Sequence, residues 1–529
     1  MRKRIYANKK SKSPIRTKSL ISLFLKIFSK FVLCFIIDAY FAVKLIYLAD
    51  QTNSQMVFSN NFFLLAFLPL FFLAYYISPT KFRNLIALAG SLFFYAWGAP
   101  KFIFILLISL FLDFYLVKAV FNSIGKQRKG ALIISLVLNI GLLSYFKYAN
   151  FFVENVNSLV SNWGAKGIVN WVAVVLPIGI SFITFHKITY AVDAYRKVHK
   201  PLEKFSDYVL YILMFPHQIA GPIVRFNEIA DQIENRESKY TIDNRLNGMF
   251  RFVIGLSKKV IIANPLGSAA NAIFAMQLGT ISTVAAWIGI LAYTFQIYFD
   301  FSGYSDMAIG LAKMMGFTFP ENFNFPYISK NITEFWRRWH ITLGRFMRDY
   351  LYIPLGGNKV SKFRLLMNLW VVFLVSGLWH GASWTFVIWG AYHGFLLILD
   401  RLFLLKLTER IYKPITVLIS FTFTVVGWVF FRSADLHFAF GYIRQLFSFS
   451  SSIISPLTLN NRFWTMLIIA AAISFYPMFG SFQKKLDAIG SRWEKTILIL
   501  KASVLLILLI ICISDINGSD FNPFIYFRF

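Results

Sequence analysis

Charge is scarce in this chain. Asp, Glu, Lys and Arg make up 15% of its 529 residues, where a soluble domain carries about a quarter. Acid is scarcer still. The 24 Asp and Glu stand against 54 Lys and Arg, for a formal net charge of +30. Cysteine is nearly absent, and Cys34 and Cys512 lie in apolar stretches at opposite ends of the chain. That excludes a disulfide framework and a thiolate metal site. There is no GK[ST] phosphate loop, no G-x-S-x-G elbow, no H-E-x-x-H and no C-x-x-C. The seven histidines lack metal-ligand spacing. No internal repeat, coiled coil or low-complexity linker is visible. The paired halves common in transporters therefore have no counterpart.

Apolar sequence is what fills the chain. Hydrophobic residues reach 57%, with 60 Phe, 25 Tyr and 13 Trp, and mean hydropathy is +0.60. Such a composition suits a lipid-facing surface with aromatic belts at its two interfaces. The cations sit in short clusters between apolar spans, the positive-inside pattern, rather than in one stripe that would bind nucleic acid. Apolar runs of membrane-crossing length recur at 62–78, 84–97, 102–119, 131–147, 169–194, 207–220, 249–264, 283–300, 365–379, 382–400, 414–431, 463–480 and 497–514. The expectation is an all-α polytopic integral membrane protein with about 11–14 membrane helices by length, some of them re-entrant or interfacial.

The connections alternate in charge. Those near Lys81–Arg83, Lys126–Lys129, Arg196–Lys204, Arg401–Lys413 and Lys484–Lys495 are basic and read as cytoplasmic. Those at 51–61, 150–168 and 447–462 are polar and read as external, with the C-terminal NPFIYFRF outside or at the outer interface. Residues 1–18 carry eight Lys/Arg and no acid. Residues 19–49 are apolar but interrupted by Lys26, Lys30, Asp38 and Lys44. Residues 1–55 thus read as a basic extension, either with an extra membrane-associated helix or lying upstream of a start at Met56. Residues 56–529 read as one helical membrane domain.

Polar and ionisable groups concentrate between residues 293 and 393. Within a span they mark a cavity or a partner. Tyr298–Phe317 holds Asp300, Ser302, Tyr304, Ser305 and Asp306. It reads either as a polar turn at the membrane surface or as a re-entrant segment lining an active cavity. Ile332–Asn358 reads as an amphipathic helix. Trp336, Trp339, His340, Leu343 and Met347 share one face, and Glu334, Arg337, Arg338, Arg345 and Arg348 the other. The arginines suit lipid headgroups as well as the phosphates of a donor such as coenzyme A. His380 stands between two apolar runs, flanked by Gly377 and Gly381, and His393 one helix later. An imidazole at that depth either works or is well paired, whereas His393 reads as structural.

These same segments resemble the membrane-bound O-acyltransferase (MBOAT) family. Phe335–Leu343 (FWRRWHITL), Arg348–Asn358 (RDYLYIPLGGN) and Ser376–Phe386 (SGLWHGASWTF) carry the resemblance. It is strongest to the bacterial branch that serves alginate O-acetylation. LFFYAWGAPKF at 92–102, FKYANFF at 146–152, LPIGISFITF at 176–185 and FPHQIAGPIVR at 215–225 extend it. So do QIYFDFSGYSDMAIG at 296–310, NFNFPYIS at 322–329 and GWVFFR at 427–432, so that about nine-tenths of the chain is covered.

The resemblance implies a helical fold around a central site, with His380 at the family's histidine and His340 at its second position. It implies transfer of an acyl group from a thioester to a hydroxyl. The donor would be cytoplasmic acetyl-CoA, with no bound cofactor. The acceptor would be a cell-envelope polysaccharide, reached through an extracytoplasmic partner with a serine nucleophile. The setting would be the bacterial cytoplasmic (inner) membrane. His380 would act as general base or as a transient acyl carrier. His340 would orient the donor or stabilise the oxyanion. Trp379, Trp384 and Tyr304 would wall the site, and Trp336, Arg337, Arg338, Arg345 and Asp306 would contact substrate. D-alanyl transfer to teichoic acid, and a polytopic transporter or flippase, stand as the alternatives.

Overall fold

The computed structural model describes residues 57–163, 169–449, 459–480 and 494–518, with Phe521 and Ile525. The extension at 1–55, Cys34 and most of the basic run Lys484–Lys495 lie outside the described residues. Among the described residues regular structure is helical throughout, with no strand.

Residues 57–77 form a unit of their own. Its helix α1 (Phe63–Ile77) opens with a π turn. Phe63, Phe67, Phe71 and Tyr75 recur every four residues, and their rings meet in sequence at 5.5, 5.8 and 5.8 Å, the i,i+4 contact of a helix face.

In the second unit α2 (Arg83–Gly98), α3 (Ile103–Asn122) and α4 (Gly125–Asn162) are followed by α5 (Ile180–Arg196), α6 (Phe205–Leu213) and α7 (Phe226–Glu234). Helix α8 (Ile242–Ser257) runs through a π turn at Lys258–Ala263 into α9 (Asn264–Phe274). Next come α10 (Thr283–Met314) and the short α11 (Ile332–Arg338) and α12 (Ile341–Met347). The chain closes with α13 (Lys362–His380), α14 (Trp384–Arg410), α15 (Lys413–Arg432), α16 (Leu436–Leu446), α17 (Asn461–Phe475) and α18 (Glu494–Gly518).

Among the described residues, α3, α4, α10, α13, α14, α15 and α18 are the seven helices long and apolar enough to cross a membrane. The other expected spans fall on shorter helices. Of these, α5 and α6 are mostly buried in protein. A helix packed inside a bundle need not match the thickness of lipid.

Helix α10 is the axis. The segment Tyr298–Phe317, expected as a turn or re-entrant loop, is mostly part of this one continuous buried helix. Its polar residues do not break it because protein satisfies them. Asp300 Oδ1 lies 3.0 Å from Lys259 Nζ, and its Oδ2 accepts from the backbone N–H of Ile525 at 3.0 Å. Asp306 receives Arg251 at 2.8 Å and Lys258 at 2.6 Å. Ile525, in the C-terminal NPFIYFRF, is buried in the protein.

The glycines of α10 serve contact with α8. A Cβ on Gly255 would stand 2.5 Å from the Gly303 carbonyl oxygen, and one on Gly248 2.6 Å from that of Gly310. The converse distances are 2.7 and 2.6 Å. Glycines one heptad apart on both helices thus let the two backbones touch, as small residues do in membrane helix pairs. The α13–α14 hairpin closes the same way. A Cβ on Gly377 would meet the Phe386 carbonyl oxygen at 2.3 Å, and one on Gly390 that of Phe373 at 2.4 Å.

A methyl group at either α8–α10 contact forces the helices apart. Gly255→Ala and Gly303→Ala are each expected to cost about 1–3 kcal/mol, the usual penalty of overpacking. Thermal unfolding of the detergent-solubilised protein reads this out, with Gly279→Ala as control because open space surrounds Gly279. Equal melting of Gly255→Ala and the control would contradict the contact's importance.

Candidate active site

The last carbonyls of any helix lack intrahelical donors. At the end of α13 two adjacent residues of α4 supply them. Tyr148 Oη donates to the Leu378 oxygen at 2.8 Å. Lys147 Nζ donates to the oxygens of Trp379 and, at 3.2 Å, of His380. Lys147 is itself buried, with its ammonium over the Trp379 ring. In the sequence Lys147 stands within FKYANFF with no evident role. A lone lysine closing an apolar run was the signal that would have found it.

The clamp sets the place of His380, whose residue is 6% exposed. Its ring meets Trp379 at 4.8 Å, Trp389 at 5.1 Å and Phe431 at 5.1 Å, all edge to face. Nδ1 has no hydrogen-bond partner among the described residues. A cavity of about 450 Å³ opens where α13 ends. Lys147 and Asn150 of α4, Tyr293 and Gln296 of α10, Gly381–Ser383, Phe386, Phe431, Arg432 and Ile525 line it.

This cavity lies at the helix ends opposite the basic turns. On α4 the cations Lys126–Lys129 precede Lys147 by about 30 Å of helix. On α14 the cavity end is Phe386 and the basic end Arg401–Arg410, while α15 starts at Lys413 and reaches the cavity at Phe431.

His340 is placed differently from expectation. The continuous amphipathic helix over 332–358 does not form. The chain breaks at Trp339–His340, and His340 takes a left-handed backbone (φ 44°, ψ 53°) between α11 and α12. A non-glycine residue there stores strain. The reason is tertiary. Ile341 N–H donates to the Asn322 oxygen and Asn324 N–H to the Arg338 oxygen, both at 2.9 Å, tying the break to the incoming chain. Asn322 is the hub. Its Oδ1 accepts from His340 Nδ1 at 3.1 Å and from Thr342 Oγ1 at 2.9 Å, and its Nδ2 donates to Ser305 Oγ at 3.1 Å. This network assigns the His340 proton to Nδ1 and leaves Nε2 as the acceptor.

The two imidazoles flank one indole. His340 lies 6.2 Å from the Trp379 ring and His380 4.8 Å. Trp379 also heads a stack of aromatic rings. Phe185 lies on it at 4.9 Å, Phe346 on Phe185 at 3.9 Å and Tyr350 on Phe346 at 5.0 Å. The stack ends beside Asp349, whose carbonyl accepts from Arg196 in the basic connection at 3.0 Å.

The other expected site residues divide. Trp336 packs on Phe373, Trp389 and His393 at 5.0, 5.6 and 5.0 Å, in the aromatic wall behind His380. Arg338 is held by Glu334 at 2.9 Å. Arg345 is 3.7 Å from Glu228 with its side chain 44% exposed, and Arg337 is exposed. Neighbouring Arg348 is kept above its ordinary pKa chiefly by its hydrogen bond to Asp349. Tyr304 is buried against Gly221, and Asp306 is spent on Arg251 and Lys258. Neither lines the cavity. Trp384, expected as a wall, is 54% exposed and donates its Nε1–H to Asn155 at 2.9 Å. Helix α14 turns it outward, and Phe386 takes the wall position. Among the described residues no three His, Cys, Asp or Glu side chains gather as a metal site.

An imidazole next to a cavity wall, beside a clamped lysine, is the equipment of acyl transfer to a hydroxyl. The model of the membrane-bound O-acyltransferase family matches residues 194–410. The chain is 40% identical to the "probable alginate O-acetylase AlgI" of Pseudomonas putida over 494 residues, 90% of this chain and all of that one. It is 38% identical to the peptidoglycan O-acetyltransferase of Helicobacter pylori, covering 74% of this chain and 80% of the relative. It is 29% identical to the teichoic acid D-alanyltransferase of Bacillus subtilis, covering 49% and 69%. The protein is a polytopic membrane enzyme that transfers acyl groups to oxygen. It belongs to the membrane-bound O-acyltransferase family.

Asn322→Leu removes the hub that orients His340 while leaving the cavity intact. Loss of buried hydrogen bonds at about 1–3 kcal/mol per unpaired group is expected to slow acyl transfer roughly tenfold to a hundredfold. The measurement is the transfer rate per membrane-inserted protein. An unchanged rate would remove His340 orientation from the mechanism.

Proposed function

We propose that the protein takes an acetyl group from cytoplasmic acetyl-CoA and delivers it across the bacterial cytoplasmic membrane for O-acetylation of a cell-envelope polysaccharide. One observation carries this reading. Gly381–Ser383, directly after His380, line a cavity that lies at the helix ends opposite the basic turns. The acetyl and peptidoglycan transferases among the relatives support both the acyl group and the acceptor class.

The chemistry follows from the residues. An acceptor hydroxyl enters the cavity and gives its proton to the His380 imidazole. Its oxygen attacks the thioester carbonyl carbon. The C–S bond then breaks, and the departing sulfur takes the proton back from His380. A general base of this kind contributes about 10²–10⁴-fold. His340, oriented by Asn322, is the second imidazole beside Trp379. Arg337 and Arg345 keep exposed charge for donor phosphates. The cavity's aromatic rings and amides suit a sugar, or the serine hydroxyl of an extracytoplasmic partner protein that carries the acetyl group onward. No metal or bound cofactor enters any step.

The teichoic acid relative favours a second reading, D-alanyl transfer. It covers half of the chain, against nine-tenths for the alginate relative. Envelope D-alanine ester content distinguishes the two.

His380→Ala is expected to abolish envelope O-acetylation while expression and membrane insertion stay normal. O-acetyl content of the isolated polysaccharide is the readout. Normal acetylation in that variant would refute the reading.

A further inference from the structure

Lys147 has more to offer than a helix cap. An ammonium carries three N–H donors. Two are engaged, on the carbonyl oxygens of Trp379 and His380. The residue also lines the cavity, together with Tyr293, Gln296 and Gly381–Ser383. Its remaining donor has no partner among the described residues. The carbonyl clamp therefore does to the ammonium what a preorganised site requires: it fixes the position and direction of a cation beside the base before substrate arrives. The first turn of α14 begins on the same wall, and the Ser383 side chain does not cap it. Negative charge is thus favoured there for a second reason.

Neighbouring cations have partners of their own, including Arg432 on the cavity wall. Lys259 is paired with Asp300 and Lys258 with Asp306. Lys187 bonds Ser109, and Arg432 bonds Asn271. His340 spends Nδ1 on Asn322 and stands behind Trp379.

We propose that Lys147 is the electrophilic catalyst of the transfer: its third N–H donates to the acyl carbonyl oxygen as that oxygen becomes an oxyanion. The inference rests on the reading of His380 as general base. As the acceptor oxygen bonds to the carbonyl carbon, the carbonyl π pair moves onto oxygen and is held by Lys147. Collapse reforms the C=O bond, breaks the C–S bond and returns the His380 proton to sulfur. Lys147 neither gains nor loses a proton.

Lys147→Met preserves length and removes the donor. With acetyl-CoA as probe, in membrane vesicles containing the full chain, kcat is expected to fall about 10²–10³-fold, the usual cost of one oxyanion donor. KM for acetyl-CoA should change little, and Lys147→Arg should restore part of the rate. Carbethoxylation of His380 by diethyl pyrocarbonate, followed by mass spectrometry, reports whether the imidazole has kept its place. A lost rate with unchanged His380 labelling supports the assignment. A labelling rate that falls in parallel reduces Lys147 to holding the helix end and overturns it, as does wild-type turnover in Lys147→Met. His380→Ala separates the two levels. If it stays active, the general-base reading falls. If it is dead while Lys147→Met is active, only the oxyanion assignment falls.

Discussion

Three carbonyl oxygens at the end of α13 set the terms for the site. In water they would be solvated. Inside a bilayer an unsatisfied polar group costs several kcal/mol, so the protein must answer them itself. Lys147 and Tyr148 of α4 do so. That answer brings a cation beside His380, ties α4 to the α13–α14 hairpin and leaves a cavity where the helix ends. The same hydrogen bonds serve fold and chemistry.

Internal satisfaction also explains the axis of the fold. Helix α10 carries two aspartates through the protein because Lys259, and Arg251 with Lys258, meet them. The glycine contacts bring α8 close enough for those cations to reach. Burying an ion pair brings little net stability. Its effect here is to specify how α8 and α10 pair, since any slip would strand a charge.

Legibility in the sequence followed the range of the interactions. The membrane class and the apolar runs could be read because hydropathy and cation placement are properties of contiguous stretches. His380 stood out because a histidine between two apolar runs is locally anomalous. The break at His340 was hidden. Helical periodicity predicted an unbroken amphipathic face, while Asn322, eighteen residues earlier, pulls the chain out of the helix. Asp300 and Asp306 read as part of a turn or a re-entrant segment because their partners lie outside the stretch that holds them. Trp384 read as a wall because spacing along the chain does not say which way α14 faces once it packs.

The sequence by itself determined that this is a polytopic helical membrane protein, which ends of its helices are basic, and that one histidine stands between two apolar runs. Tertiary structure alone decided that α10 runs unbroken, that Lys147 meets the end of α13, and that Ile525 reaches Asp300 across 225 residues of chain. Composition and periodicity report how a segment meets lipid or water, which is a local matter. Which donor satisfies which buried acceptor depends on groups brought together only by packing, and inside a membrane no solvent can supply the missing partner.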